Sequence, residues 1–147
     1  MAISIPAAAR SDYVLARAYL SRDCVERRLF DRLDRSARHF HLTVNHRNDD
    51  HFDANTDTIA WDPYSALRTT RAGTQSPALG LGHEIAHAVE APSRETSLQS
   101  RSLRRYDNAE ERRVIRGSER HAARTLGEGV RYDHRGTAYR VATPVSR

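Results

Sequence analysis

Lysine is missing from the 147 residues, and all 24 basic side chains are arginine. Such a basic set fits a GC-rich coding sequence. It also fits a protein that acts inside a eukaryotic cell, where lysine is the residue that ubiquitination modifies. Cysteine occurs once, at Cys24, which excludes an intramolecular disulfide and a cysteine-based zinc finger; any metal must be held by His, Asp or Glu. Long apolar runs are absent too. Nothing approaches the roughly 20 residues of a membrane span, and residues 1–10 have neither a basic flank nor a long apolar stretch. The expectation is a soluble chain without a Sec-type signal, which leaves open export through a machine that reads a disordered N-terminus or a carrier protein.

A net charge of +5 raises a nucleic-acid reading. The 19 acidic residues are interspersed with the arginines, as in Arg27-Arg28-Leu29-Phe30-Asp31-Arg32-Leu33-Asp34-Arg35. This is the pattern of a solvated helix surface. A basic binding module for nucleic acid or protein therefore stands as the alternative reading, since no aromatic-basic interleaving accompanies the charge. The length fits one domain over residues 1–147, with 1–10 and 143–147 as loose tails.

Apolar residues recur at three- and four-residue steps between Ser11 and Ala37. Two helices follow, with Val14, Leu15, Ala18 and Tyr19, then Val25, Leu29, Phe30 and Leu33, turned to a core, and Asp12 and Asp23 as N-caps. From His39 the pattern alternates: Phe40, Leu42 and Val44 form one face of a strand, Asn48-Asp49-Asp50 a turn, and Thr58–Trp61 a further strand ended by Asp62-Pro63. The expected sheet is short and antiparallel. Ser76-Pro77 is a strong helix start, and that helix runs to about Glu90 before Pro92. Arg94 to Asp107 reads as a flexible loop, Asn108 caps a helix through Ile115, and a second helix from Glu119 to Leu126 closes on Gly127. The remainder looks extended and ends loosely.

Within the Ser76 helix, His83-Glu84-Ile85-Ala86-His87 sets two histidines one turn apart, so that both imidazoles leave one face and can grip one zinc ion. Glu84 stands beside them, where it can take the proton of a zinc-held water and pass it to a leaving amine. Uncharged inner residues, the apolar Leu81, Ile85 and Val89, and the mid-helix position separate this HExxH from a chance occurrence on a polar face. A site of this kind needs a third protein ligand and one open position. Glu110 and Glu111 are the alternatives for it, ahead of Glu119 on the next helix. An oxyanion must also be stabilised, and Arg131-Tyr132-Asp133-His134 supplies donors, His134 first and Tyr132 second, with Tyr139 close behind. Thr58–Trp61 could hold an extended substrate by strand addition. His39, His41, His46, His51 and His121 have no ligand spacing and are read as non-ligands.

The chain resembles the NleD-like effector zinc metallopeptidases, whose short members occur as secreted bacterial effectors and as domains of polymorphic toxins. The matching residues are Ile59-Ala-Trp61-Asp62-Pro63, Leu79 to Ala88 around the HExxH, Asn108-Ala-Glu110-Glu111 through Gly117-Ser-Glu119, and Leu126-Gly127-Glu128 through Arg131-Tyr-Asp133-His134 to Val141. The likeness spans roughly residues 55–142. It implies a zincin-like α+β fold and an endopeptidase with one zinc per chain. It also implies delivery by a specialised bacterial secretion system into a host or rival cell. The partners expected are a protein substrate there and an immunity protein or secretion carrier, with no nucleic acid and no membrane, and the chain itself a monomer. Some members cleave host signalling kinases; this chain is shorter and its tail differs, so that substrate is not carried over.

Overall fold

Asp23 opens the second helix as expected, its carboxylate accepting from the Val25 and Glu26 amides at 2.9 Å, an N-cap contribution of about 1 kcal/mol. The computed structural model describes residues 2–91, 102–103 and 106–147. Helix α1 (Arg10–Leu20) follows a short 3-10 turn at Ala7–Ala9, and α2 is Cys24–Arg35. Asp12 does not cap α1: the helix begins two residues earlier, so Asp12 lies in its first turn, where its charge suits the positive end of the helix dipole. The buried stripe of α1 is also displaced from the expected one. Tyr13, Ala16 and Leu20 face inward, while Val14 and Leu15 are 59% and 43% exposed. Leu29, Phe30 and Leu33 of α2 are buried as expected.

Four strands make the larger sheet: β1 (Ile3–Ser4), β2 (Phe40–Val44), β3 (His51–Asp53) and β4 (Thr58–Trp61), in the order β1-β2-β4-β3. This sheet is not mostly antiparallel. Both β1 and β4 run parallel to β2, and only β3 is antiparallel to its neighbour. The turn after β2 explains the difference. Asn48 donates its amide to Asp62 at 3.0 Å and Asp50 accepts from the Asp62 amide at 2.6 Å, so the turn is tied to the far end of β4 instead of closing a β2–β3 hairpin. In consequence Thr58–Trp61 lies between two strands and has no edge to offer a substrate. A second, wholly antiparallel sheet has the order β6-β5-β9, from β5 (Ser65–Arg68), β6 (Thr74–Gln75) and β9 (Thr137–Arg140). The molecule is thus a mixed α+β fold with small sheets.

Helix α3 (Pro77–Glu90) runs through the centre. Ser76 accepts from the Leu79 amide at 3.3 Å, Pro77 takes the first turn, and Trp61 donates its indole N–H to the Pro77 carbonyl at 2.8 Å. Leu79, Leu81, Ile85 and Ala86 are fully buried against α1, α2 and the sheet. At about 1.5 to 3 kcal/mol for each large apolar side chain, this packing fixes the helix that carries the motif. No helix among the described residues is long and apolar enough to cross a membrane.

Beyond α3, β7 (Ser102–Leu103) pairs antiparallel with β8 (Asp107–Asn108), at the end of the stretch read as a flexible loop; residues 92–101 and 104–105, with Pro92, lie outside the described residues. Asn108 caps α4 (Ala109–Val114) by accepting from the Glu111 amide at 2.9 Å. A wide π turn, Ile115–Glu119, with Gly117 out of helical geometry, leads into α5 (Arg120–Leu126). Gly127 ends it in the left-handed region, φ 71°, where glycine carries no steric penalty.

Neither end is a loose tail. Ile3 is buried in β1, and Phe40 donates to the Ala2 carbonyl at 2.7 Å. At the other end Pro144 is buried, and its carbonyl accepts from the Ala78 amide at 2.8 Å, satisfying a donor that the first turn of α3 leaves without an intrahelical partner.

Candidate metal centre

His83 and His87 project from α3 with ring centroids 4.7 Å apart, and their Nε2 atoms approach to 3.0 Å. Helix α4 crosses this face and delivers Glu111, whose Oε2 lies 2.8 Å from His83 Nε2 and whose Oε1 lies 3.1 Å from His87 Nε2. One ligand atom from each of the three residues falls within 4.8 Å of the others. A tetrahedral zinc ion with bonds of about 2.0–2.2 Å sets its ligands about 3.3 Å apart. The triad needs to open by only a few tenths of an ångström to fit.

The other nitrogen of each ring is held by a different glutamate. His83 Nδ1 lies 2.9 Å from Glu119 Oε1, and His87 Nδ1 lies 3.1 Å from Glu110 Oε1. A carboxylate accepts, so each Nδ1 donates to its own glutamate, and each Nε2 faces Glu111, to which it donates in the metal-free protein and toward which it would turn a lone pair if an ion displaced that proton. A metal cation between Glu111 and the two imidazoles would take the place of the Nε2 protons. The donor set of two imidazoles and one carboxylate is one that zinc takes.

These outer glutamates are themselves anchored. The Arg131 Nε donates to both Glu119 oxygens at 3.1 and 3.0 Å, and its terminal NH2 group also pairs with Glu119. Arg113 grips Glu110 through Nε at 2.9 Å and a terminal nitrogen at 2.5 Å. Burial opposes the charge of both carboxylates, yet Arg131 with His83, and Arg113 with His87, hold them down to about 2. Glu111 is driven well below the usual carboxylate range against its own burial, by hydrogen bonds to His134, His83 and His87. In the metal-free protein burial alone would lower His83, but its hydrogen bonds to Glu111 and Glu119 raise it to about 10.

Glu84 is buried, with Oε1 at 4.0 Å from His83 Nε2. Burial raises its pKa, the direction that suits a general base working near neutrality. Two cavities flank it. One, about 170 Å³, is lined among others by Asn48, Ser65, Gln75, His83 and Arg131; the other, about 280 Å³, by His51, Phe52, His87 and Glu111; Asp50, Glu84 and His134 line both.

The structure therefore brings His83, Glu84, His87, Glu111 and His134 together. His134 Nε2 lies 3.3 Å from Glu111 Oε2, and the residue lines both cavities. Glu110 is at the site, but its carboxylate meets His87 at Nδ1, as Glu119 meets His83, and the group among the described residues that could hold an ion is His83, His87 and Glu111. Tyr132 is not part of the site. Arg131 turns inward, its neighbour turns out, and the Tyr132 ring is 37% exposed between the guanidiniums of Arg71 and Arg120, lining neither cavity. Tyr139 pairs in register with Ala66 on β5, under the Arg68 guanidinium.

Sequence reasoning missed Asp50, read only as a turn residue, although burial pushes its carboxyl up to about 8 and it lines both cavities. It also missed Glu128, which accepts from the Ser76 amide, the Ser76 hydroxyl at 2.8 Å and the Tyr19 hydroxyl, clamping the start of α3 to α1. An acid one residue past the helix-ending Gly127 gives no signal of that role. Comparisons with protein-family models, with curated proteins and with solved structures find no match to this chain.

Proposed function

We propose that this chain is a zincin-like, zinc-dependent endopeptidase, with His83, His87 and Glu111 as metal ligands and Glu84 as general base. The observation that carries the reading is the convergence of two Nε2 atoms and the Glu111 carboxylate, each imidazole backed at Nδ1 by its own glutamate. Zinc bound there supplies a water of pKa near 7 and polarises a carbonyl oxygen.

The remaining roles belong to the chain. Glu84, within reach of the open side of the triad, takes the water proton and returns it to the leaving amine. His134, beside Glu111 and lining both cavities with Glu84, donates to the oxygen that gains negative charge as the carbonyl is attacked. Strand β3 is an edge of the larger sheet, and its His51 and Phe52 border the cavity beside Glu84, which favours an extended substrate lying along it. On the strength of the sequence resemblance, the substrate is a protein of a host or rival cell reached through specialised bacterial secretion.

The test is the metal content of purified protein together with cleavage of a denatured protein mixture. About one zinc per chain, lost in a His83→Ala, His87→Ala double variant, with cleavage abolished in a folded, zinc-loaded Glu84→Gln variant, is the expected result. A chain that takes up no zinc even when it is supplied refutes the reading.

A further inference from the structure

The cavity between the second sheet and the first turns of α3 holds a carboxylate with no use in the chemistry above. Asp50 spends one oxygen on the Asp62 amide, at 2.6 Å. Its other oxygen lies against Gly80, so closely that a Cβ there would stand 2.6 Å from it. That oxygen forms no hydrogen bond and no close ion pair among the described residues, His83 acting on it only at a distance, although Asp50 lines both cavities beside Glu84. The ionised form of such a half-buried carboxyl, with one oxygen free, is costly to keep unless a cation comes to it.

The rest of the lining points the same way. Gln75 is buried with its amide nitrogen committed to the Gly129 carbonyl at 2.8 Å and to Glu119, so its oxygen remains as a further acceptor. Asn48 and Ser65 bond to each other at 2.7 Å and add polar wall. The one arginine in the lining, Arg131, is neutralised by Glu119. The cavity, about 170 Å³ in volume, thus sets acceptors around Asp50, with His83 and His134 also in its lining.

We propose that this cavity is the specificity pocket for a cationic side chain, arginine or lysine, of the substrate residue next to the scissile bond, with Asp50 as its counter-ion. This rests on the peptidase reading of the same site. A guanidinium or ammonium would gain a charge-assisted hydrogen bond from Asp50 and lose little to the wall, whereas an acidic or apolar side chain would leave Asp50 unpaired.

The experiment needs no turnover and so keeps the two readings apart. Binding of L-arginine hydroxamate and of L-citrulline hydroxamate to zinc-loaded protein is measured by calorimetry. The hydroxamate engages the metal in both, and citrulline is the uncharged isostere of arginine. Arginine hydroxamate should bind about tenfold more tightly or better. In Asp50→Asn, which keeps an oxygen for the Asp62 amide, the two should bind alike while citrulline hydroxamate binds as before. Equal binding of the two by the unaltered protein, or a preference for arginine that survives Asp50→Asn, overturns the pocket and leaves the metal centre standing. Failure of both hydroxamates to bind overturns the accessible metal centre and the pocket with it.

Discussion

Gly82 and Glu26 meet where α2 packs on α3, at a separation that allows no side chain on residue 82: a Cβ there would lie 2.5 Å from Glu26 Oε2. The glutamate is fully buried and cannot swing to solvent to make room. Gly82→Ala should therefore destabilise the fold by about 1 to 3 kcal/mol, despite alanine's better helix propensity. Urea midpoints of the two proteins check it, and an alanine variant of equal or greater stability would show that α2 yields at this contact.

Glu26 itself makes stability depend on pH. Both carboxylate oxygens are buried without a hydrogen-bond partner among the described residues, and burial raises the pKa from 4.5 to about 8. The folded state thus holds a proton that the unfolded chain releases, so this contribution is complete below pH 4.5 and is lost as pH rises through about 8. Glu26→Gln removes the penalty. Its stability relative to the parent, measured by denaturant titration with a chelator present, should grow across that window by on the order of 3 kcal/mol. A constant difference from pH 4.5 to 8 would contradict the assignment.

Glu110 backs His87 at Nδ1 and is gripped by Arg113. Glu110→Gln keeps an acceptor for the imidazole but removes its charge, and zinc affinity should fall about 10- to 100-fold while the fold persists. Competition against a chromophoric chelator measures this directly. Complete loss of zinc would instead make Glu110 a ligand.

Arg131 and Glu119 form a buried ion pair behind His83. Arg131→Met leaves the buried Glu119 charge without its guanidinium, held only by His83 and Gln75, with an expected loss of about 3 kcal/mol; a double replacement of both partners by apolar residues should recover much of it. Thermal melts of the three variants, with zinc removed by a chelator, test the pair apart from the metal.

Much of the site was legible because it is local. The HExxH spacing sets both imidazoles on one helical face whatever surrounds it, and Ser76, Asn108 and Gly127 act on their own backbone within a few residues. What escaped is non-local. The parallel pairing of β2 with β4 depends on the Asn48–Asp50 turn being bound to Asp62, more than ten residues on, which no alternation pattern encodes. The choice among Glu110, Glu111 and Glu119 depended on which carboxylate the crossing of α4 over α3 brings to Nε2 and which to Nδ1. Tyr132 and Arg131 are neighbours with equal claims in sequence; only packing turns one inward.

Glu111 and His83 stand 28 positions apart in the chain, on helices joined through a long connection. A metal ion shared between them would be a removable cross-link, closing in a one-cysteine chain the kind of loop that a disulfide closes elsewhere. The chain-entropy model values such a closure at about 3 kcal/mol. The redox state of the surroundings would not govern this staple; the supply of zinc would. A protein that threads unfolded through a narrow passage could leave it open on one side and lock it on the other.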